Sequence, residues 1–179
     1  MENLSDEYIM KKIRQGDLDY LAYIFERYNH QMLNYFFRMS LNYEDSRDLT
    51  QSLFFRILKY KKSFNQNMIF KHWLYKMARN ILNDYFNKNK KYISIQDDIN
   101  INSNNSIDQA EQDKFLFQAI AKLPDEYKEL IILSRFCNYK QSELAEIYDT
   151  TIASIKNKLY RALIKLKEIY FQTDKYGLL

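Results

Sequence analysis

Basic and amide side chains that suit DNA lie close together near the C-terminal end of the chain. Arginine and lysine pair with guanine O6 and N7 or with phosphates, and asparagine pairs with adenine. Apolar residues between them recur at helical spacing, which predicts one amphipathic helix whose polar side faces away from the core. The residues expected on that outward side are Ser154, Lys156, Asn157, Lys158 and Arg161. This pattern predicts a helix that enters the major groove of DNA.

A shorter helix precedes this basic helix and predicts how it is held. We expect a helix from about Gln141 to Tyr148, a turn at Asp149-Thr150, and the basic helix from about Thr151 to Phe171. Two helices separated by a short turn, the second of them basic, describe a helix-turn-helix. The residues predicted to pack the two helices together are Leu144, Ala145, Tyr148, Ile152, Ile155, Leu159, Leu163 and Leu166. Because any helical hairpin gives a similar pattern, the motif alone predicts only generic DNA binding.

A second basic stretch, Lys71 to Lys91, contains six Lys and Arg against a single acid, Asp84. A helix from about Phe70 to Asn89 is predicted there, and its apolar stripe leaves out Tyr75. Basic, amide and aromatic groups on one surface suit single-stranded nucleic acid, because cations follow the phosphates and each ring that stacks on a base is worth about 1–3 kcal/mol. The residues predicted on this surface are Lys71, Tyr75, Lys76, Arg79 and Asn80. The alternative is that the aromatic rings are core, which the pattern favours for Phe70 and Trp73.

The elements that carry these residues are predicted to be helices. Only two glycines and one proline occur in 179 residues, and the chain has no Asn-Gly or Asp-Gly dipeptide that would favour a tight hairpin. A composition of 46% hydrophobic and 28% charged residues allows a packed core. Further helices are expected to begin near Ser5, Leu21, Glu44, Asp113 and Pro124. The predicted fold class is therefore all-α.

The stretch 97–109 is rich in Asn and Ser and lacks helical periodicity, as in a flexible linker. We therefore predict a domain of residues 1–91 and a domain of residues 113–173, joined by residues 92–112, and each domain is small enough to be a bundle of three or four helices. The connector is acidic and lies between the two basic segments. This arrangement suggests two contacts on one polyanion, and two solvated helix faces would give the same charge pattern.

Several classes of function are disfavoured by the sequence. A single cysteine, Cys137, excludes an internal disulfide, and His30 and His72 have no metal-ligand spacing around them. The chain contains no glycine-rich phosphate loop or nucleophile motif, so we expect no catalytic residues, no metal and no cofactor. The N-terminal residues lack a signal-peptide pattern, and no apolar run is long enough to span a membrane. A cytoplasmic, non-enzymatic protein is therefore predicted.

Several segments, taken in order, resemble one known family. Asp48–Phe54 and Trp73–Asn80 resemble the core signature of the extracytoplasmic-function (ECF) group of bacterial RNA polymerase sigma factors. Leu123–Tyr127, Ser142–Ile147 and Ile155–Ala162 are similar to the C-terminal helix-turn-helix domain of that family. The resemblance covers nearly the whole chain and includes a linker at the expected place.

The resemblance implies a subunit that directs core RNA polymerase to promoter DNA, with one domain for the −10 element and one for the −35 element. It implies that Asp48, Gln51 and Ser52 contact core polymerase, at the clamp coiled coil of its largest subunit. It further implies that the loop Asn65 to Ile69 and the start of the fourth helix capture a base of the opened −10 strand. The residues that match this −10 surface are Asn65, Lys71, Tyr75, Lys76, Arg79 and Asn80, and those that match the −35 surface are Ser154, Lys156, Asn157, Lys158 and Arg161. An anti-sigma factor is a further partner that is usual in the family.

Three positions depart from the family pattern. Ser52 replaces an acid that often follows the glutamine, which predicts a weaker contact with the polymerase. Asp149 lies in the turn where glycine is usual, and Asp tolerates a left-handed backbone better than most residues. Lys158 replaces an arginine and lacks its bidentate fork. The alternative function is a helix-turn-helix regulator that is not a polymerase subunit, for which the face with Asp48 and Gln51 would be ordinary solvated helix.

Overall fold

The computed structural model of the chain describes residues 4–65, 67–89 and 115–176, without the side chains of 173–176, and all regular structure in these ranges is helical. The helices are α1 (Asp6–Gln15), α2 (Leu21–Ser40), α3 (Tyr43–Tyr60), α4 (Phe70–Asn89), the described part of α5 (115–121), α6 (Asp125–Ile131), α7 (Gln141–Ile147) and α8 (Ile152–Tyr176). They form two compact units, chiefly α1 to α4 and α5 to α8. The predicted all-α fold class is confirmed. The predicted linker, residues 92–112, lies outside the described ranges.

Both ends of α1 follow the sequence signals. The Ser5 side chain accepts a hydrogen bond from the Tyr8 N–H at 3.2 Å and caps the N-terminus. Gly16 follows the last turn with a left-handed φ of 104°, and the N–H groups of Gly16 and Asp17 donate to carbonyls of the last turn. This is the glycine-terminated helix end that requires a positive φ.

The core of the first unit is formed by aromatic and aliphatic side chains from all four of its helices. The Phe70 ring lies 5.4 Å from the Tyr28 ring, and the Tyr75 ring lies 5.3 Å from the Tyr35 ring, both edge-on. Such pairs add to the free energy gained from burying apolar area. Other residues of this core include Ile9, Ile13, Ile24, Met32, Phe36, Leu53, Ile57, Phe64 and Leu74. Helix α4 contacts α1, α2 and α3, so much of its circumference is buried.

The second unit places a widened helical turn before its helix-turn-helix. Helix α6 continues as a π-helical turn over Ile132–Phe136, in which the Cys137 N–H donates to the Ile132 carbonyl at 3.1 Å. Asn138 then adopts a left-handed φ of 54°, which ends the helix. Helix α7 follows, and the Glu143 carboxylate accepts from the Lys140 N–H at 2.7 Å and caps its start.

The turn between α7 and α8 is closed by backbone hydrogen bonds. The Thr150 N–H donates to the Ala145 carbonyl at 2.9 Å. Asp149 has a φ of 49°, which confirms that an aspartate takes the left-handed position where glycine is usual. The Thr151 hydroxyl then accepts from the Ser154 N–H at 3.1 Å and caps α8. These contacts fix where the basic helix begins.

The apolar stripe of α8 is narrower than predicted. Ile155, Leu159 and Ala162 are buried, and Ala162 belongs to a core cluster with Ile120, Leu123 and Ile131. The predicted packing of Ile152 and Leu163 is wrong, because their side chains are exposed. Both lie on one side of the buried stripe of Ile155, Leu159 and Ala162.

Candidate nucleic-acid interface

The outward face of α8 carries most of the predicted DNA-reading residues. Lys156, Asn157 and Arg161 are exposed, and Ser154 is half-buried in the first turn that Thr151 caps. Because residues three and four apart share one side of a helix, Asn157 and Arg161 lie on neighbouring turns of one surface. That surface combines an amide with a guanidinium, which are the groups that pair with adenine and guanine.

Lys158 is placed differently from its neighbours. Its ammonium group forms an ion pair with the Glu126 carboxylate in the first turn of α6, and the lysine side chain is 38% exposed. The prediction that Lys158 faces outward with Lys156, Asn157 and Arg161 is wrong. The Lys158 side chain lies at the edge of the buried stripe and reaches towards α6. Its charge is already partly compensated within the unit.

Tyr160 was missed by the selection of basic and amide residues. Its side chain is 67% exposed and lies one turn after Lys156 and Asn157 on the same side of α8. Helical spacing alone would have found it, because Tyr160 lies opposite the buried stripe of Ile155 and Leu159. A ring at this position could contact the methyl group of thymine in the major groove.

The predicted surface for the opened strand comprises the loop before α4 and one side of that helix. The Asn65 side-chain oxygen accepts from the Asn67 N–H at 3.2 Å, and its carbonyl accepts from the Met68 N–H at 2.9 Å. This turn leaves the apolar side chains of Met68 and Ile69 exposed, which sequence reasoning did not single out. On α4, Asn80 is exposed, and Lys71, Lys76 and Arg79 are half-buried.

Tyr75 does not lie on this surface. Only 1% of its side chain is exposed, and its ring packs edge-on against Tyr35 of α2. The prediction of an exposed stacking ring is therefore wrong. The stripe counted from sequence assumed one packed side, whereas α4 contacts three other helices and buries a broader face. Phe70 and Trp73 are core, as the alternative interpretation held.

The face of α3 that carries Asp48, Gln51 and Ser52 is exposed in its own unit. Phe55 continues this face one turn later, and 64% of its side chain is exposed. Beside it, a groove between α2 and α3 is lined by Phe25, Asp48, Gln51, Phe55 and Leu58, among others. Phe25 of α2 is half-exposed and packs against Phe54, with 4.8 Å between the ring centroids.

Within the ranges that the structure describes, no group of three His, Cys, Asp or Glu side chains is arranged to hold a metal ion. None of the helices in those ranges combines the length and the apolar character that a membrane crossing requires.

Both units match known family models. Residues 24–92 match Sigma-70 region 2, and residues 116–166 match Sigma-70, region 4. Because the first unit matches a sigma-factor region too, the alternative of a helix-turn-helix regulator that is not a polymerase subunit is set aside.

Relatives and a solved structure agree with these matches. RNA polymerase sigma factor SigV of Bacillus subtilis (strain 168) is 31% identical over 136 residues, which cover 72% of this chain and 80% of SigV. ECF RNA polymerase sigma factor SigM of the same strain is 29% identical over 153 residues, which cover 82% of this chain and 93% of SigM. The structure of CnrH in complex with the cytosolic domain of CnrY has the same fold, with a TM-score of 0.72 at 16% identity over 92% of this chain and 96% of CnrH. The chain belongs to the extracytoplasmic-function family of RNA polymerase sigma factors, which are non-enzymatic transcription initiation factors.

Proposed function

We propose that this sigma factor binds core RNA polymerase with α3, the opened −10 strand with α4 and the loop before it, and the −35 element with α8. The observation that carries the proposal is the exposed face of Asp48, Gln51 and Ser52 beside a groove with the exposed rings of Phe25 and Phe55, because large exposed apolar side chains rimmed by polar groups are typical of a protein-binding surface. The two promoter contacts follow from the chemistry of the other two surfaces.

The −35 contact is proposed for the exposed side of α8. Asn157 and Arg161 supply groups that discriminate bases, and Lys156 supplies a charge for a phosphate. Ser154 lies at the capped start of the helix, the part that such motifs insert into the major groove. Lys158 is assigned to positioning α8 against α6, because Glu126 compensates its charge.

The −10 contact is proposed for Asn65, Met68, Ile69 and the cationic side of α4. An opened strand presents unstacked bases and a charged backbone, so it needs apolar or amide contacts beside cations. The exposed side chains of the loop supply the apolar and amide contacts, and Lys71, Lys76 and Arg79 supply the cations. Asn80 lies one turn after Lys76. Tyr75 is left out of this surface because it is buried.

The core contact is proposed for the α3 face and the groove beside it. Carboxylate and amide groups at Asp48 and Gln51 suit basic and polar side chains of a partner, and the rings of Phe25 and Phe55 offer apolar area at the centre of the contact. A buried aromatic surrounded by polar groups is the usual composition of a strong protein contact.

Two weak DNA contacts on one chain would act as one strong contact. Binding of the first raises the effective concentration of the second at its own element. For this reason we propose the functional division 1–91 and 113–173, with the segment 92–112 as the connector. Because the polymerase and the promoter are in the cytoplasm, we propose that the protein acts there.

A protein inhibitor is a further proposed partner. The family resemblance implies an anti-sigma factor, and CnrH, which has the same fold, has been solved with the cytosolic domain of CnrY bound. Such an inhibitor would prevent promoter binding by covering a face that core polymerase or DNA needs.

The proposal is tested by reconstitution with core polymerase on several candidate promoters. We expect promoter-dependent transcripts and co-purification of the chain with core. Absence of both would overturn the proposed function. Asp48→Ala should weaken core binding about tenfold, because a charged group in a protein contact contributes about 1.5–3 kcal/mol. Binding of the same variant to duplex −35 DNA without polymerase should be unchanged.

The matched control for Asp48→Ala is Glu26→Ala, which removes an exposed acid from α2 at a position that does not line the groove. It should bind core as the unchanged protein does. Equal weakening by both variants would show a general effect of charge and contradict the assignment of the α3 face.

A further inference from the structure

We propose that Glu7 of α1 is a positioning residue for the −10 surface, because its carboxylate holds the N-terminus of α4. Oε1 of Glu7 accepts a hydrogen bond from the Phe70 N–H at 3.2 Å, across 63 positions of sequence. This inference rests on the −10 contact proposed above for α4 and its preceding loop.

The N-terminus of α4 needs such a partner. The N–H groups in the first turn of a helix have no acceptor within the helix, and a Ser, Thr, Asp or Asn just before it usually supplies one. Here the preceding residue is Ile69, whose side chain has no hydrogen-bond acceptor. Glu7 supplies the acceptor from another helix, and its negative charge also suits the positive end of the helix dipole.

Helix α1 is itself held by contacts with α2, so the position of the Glu7 carboxylate is fixed. The neighbouring Asp6 accepts from Arg27 Nη1 at 2.6 Å and from the Tyr28 hydroxyl at 2.5 Å, both on α2. Ile9 and Ile13 on the inner side of α1 are fully buried. A fixed carboxylate orders the Phe70 backbone more effectively than one on a mobile helix, because less conformational freedom is lost on forming the hydrogen bond.

The consequence for DNA follows from the chain path. The loop that exposes Met68 and Ile69 leads directly into Phe70, so the position of the Phe70 backbone sets where those side chains project. Glu7 also occupies a helix N-terminus that would otherwise attract a phosphate. The backbone of a bound strand is thereby directed to the lysine and arginine side chains of α4. Glu7 lies before residues 24–92, the part that matches Sigma-70 region 2, so the residue that caps the N-terminus of α4 lies outside the matched segment.

The test measures base discrimination by the full chain bound to core polymerase. Fork-junction DNA probes that carry either the preferred −10 sequence or a single base change give two affinities, and their ratio is the readout. Glu7→Ala should lower this ratio by up to about fivefold, because the stability that one helix cap contributes is the upper limit of what the ordered loop adds to discrimination. Glu7→Gln keeps an acceptor oxygen and should keep the ratio within about twofold. Affinity for core and for duplex −35 DNA should not change, which separates positioning from general loss of structure.

Two further variants complete the test. Glu26→Ala removes the same charge from an exposed site on α2 and should leave the ratio unchanged. If Glu7→Ala does not fold, Glu7→Asp replaces it, because its shorter side chain cannot reach the Phe70 N–H and should lower the ratio while Glu7→Gln does not. The role of Glu7 would be overturned by an unchanged ratio in Glu7→Ala or by an equal loss in Glu26→Ala. Neither result would contradict the proposed −10 contact. If the unchanged protein itself shows no discrimination between the probes, the proposed −10 function fails and this inference fails with it.

Discussion

Lys158 of α8 is held by Glu126, a residue of the first turn of α6. The two side chains are 38% and 46% exposed, so the ion pair is screened by water and its contribution to stability is small, at most about 1 kcal/mol. Its larger effect is to keep the lysine ammonium at the side of α8. This contact separates Lys158 from Lys156 and Arg161, which have the same sign of charge and face outward.

We expect Lys158→Ala to leave the salt dependence of −35 duplex binding unchanged, because Glu126 already compensates the charge. Lys156→Ala is the matched control, an exposed lysine on the same helix. It should lower the slope of log K against log salt by about 0.9, the effect of one lost phosphate contact. Arg161→Ala should show the same loss if its guanidinium meets phosphate, and an unchanged slope with weaker binding if it meets a base. Titrations at several salt concentrations measure all three slopes, and a reduced slope in Lys158→Ala would contradict the positioning role.

Tyr160→Ala should weaken binding to the −35 duplex about tenfold and leave the free energy of unfolding nearly unchanged. The ring is mostly exposed, so its removal costs little packing, and burying the apolar area of one or two CH2-sized groups against a thymine methyl group is worth about 1–2 kcal/mol. Tyr160→Phe keeps the ring and should keep most of the affinity. Phe171→Ala, which removes an exposed ring about three helical turns after Tyr160 on α8, is the control. Equal binding by Tyr160→Ala and the unchanged protein would remove Tyr160 from the interface.

Local chemistry made several features predictable from sequence. Ser5 and Gly16 mark the two ends of α1, and the left-handed backbone of Asp149 follows from a turn that needs a residue tolerant of positive φ. Each of these depends on residues within one helical turn. The exposed face of α3 was predictable for the same reason, because helical spacing alone separates Asp48 and Gln51 from the buried Leu49 and Leu53.

Features that depend on a second helix were not predictable. Tyr75 is buried because Tyr35 lies against it, and nothing in the pattern of α4 reports that neighbour. Lys158 is turned aside by Glu126, and the hydrogen bond from Phe70 to Glu7 crosses 63 positions. A single sequence gives the periodicity of each helix, but it does not say how many sides of the helix are covered.

Stability at alkaline pH should depend on Tyr28. Burial, followed by the hydrogen bond and the negative charge of Asp6, raises the pKa of the Tyr28 hydroxyl well above its usual value of about 10. The folded protein therefore keeps this proton where the unfolded chain loses it. The stability that Tyr28 contributes is complete below pH 10 and is lost as the pH rises above it, by at most about 1.4 kcal/mol per pH unit. Tyr28→Phe should show a shallower loss between pH 10 and about pH 11 in urea unfolding. Equal slopes for the two proteins would contradict the raised pKa.

Asn138 tests the bend that connects α6 to the helix-turn-helix. Its φ of 54° is tolerated by asparagine and glycine but is strained for a β-branched residue, and its side chain is exposed. Asn138→Val should lower the free energy of unfolding by about 1–3 kcal/mol, whereas Asn138→Gly should change it by less than about 0.5 kcal/mol. Lys140→Val places the same apolar side chain at an exposed position two residues later and controls for its other effects. Chemical denaturation of the three variants measures the differences. A loss in Asn138→Gly as large as in Asn138→Val would show that the asparagine side chain, and not the backbone angle, stabilises the bend.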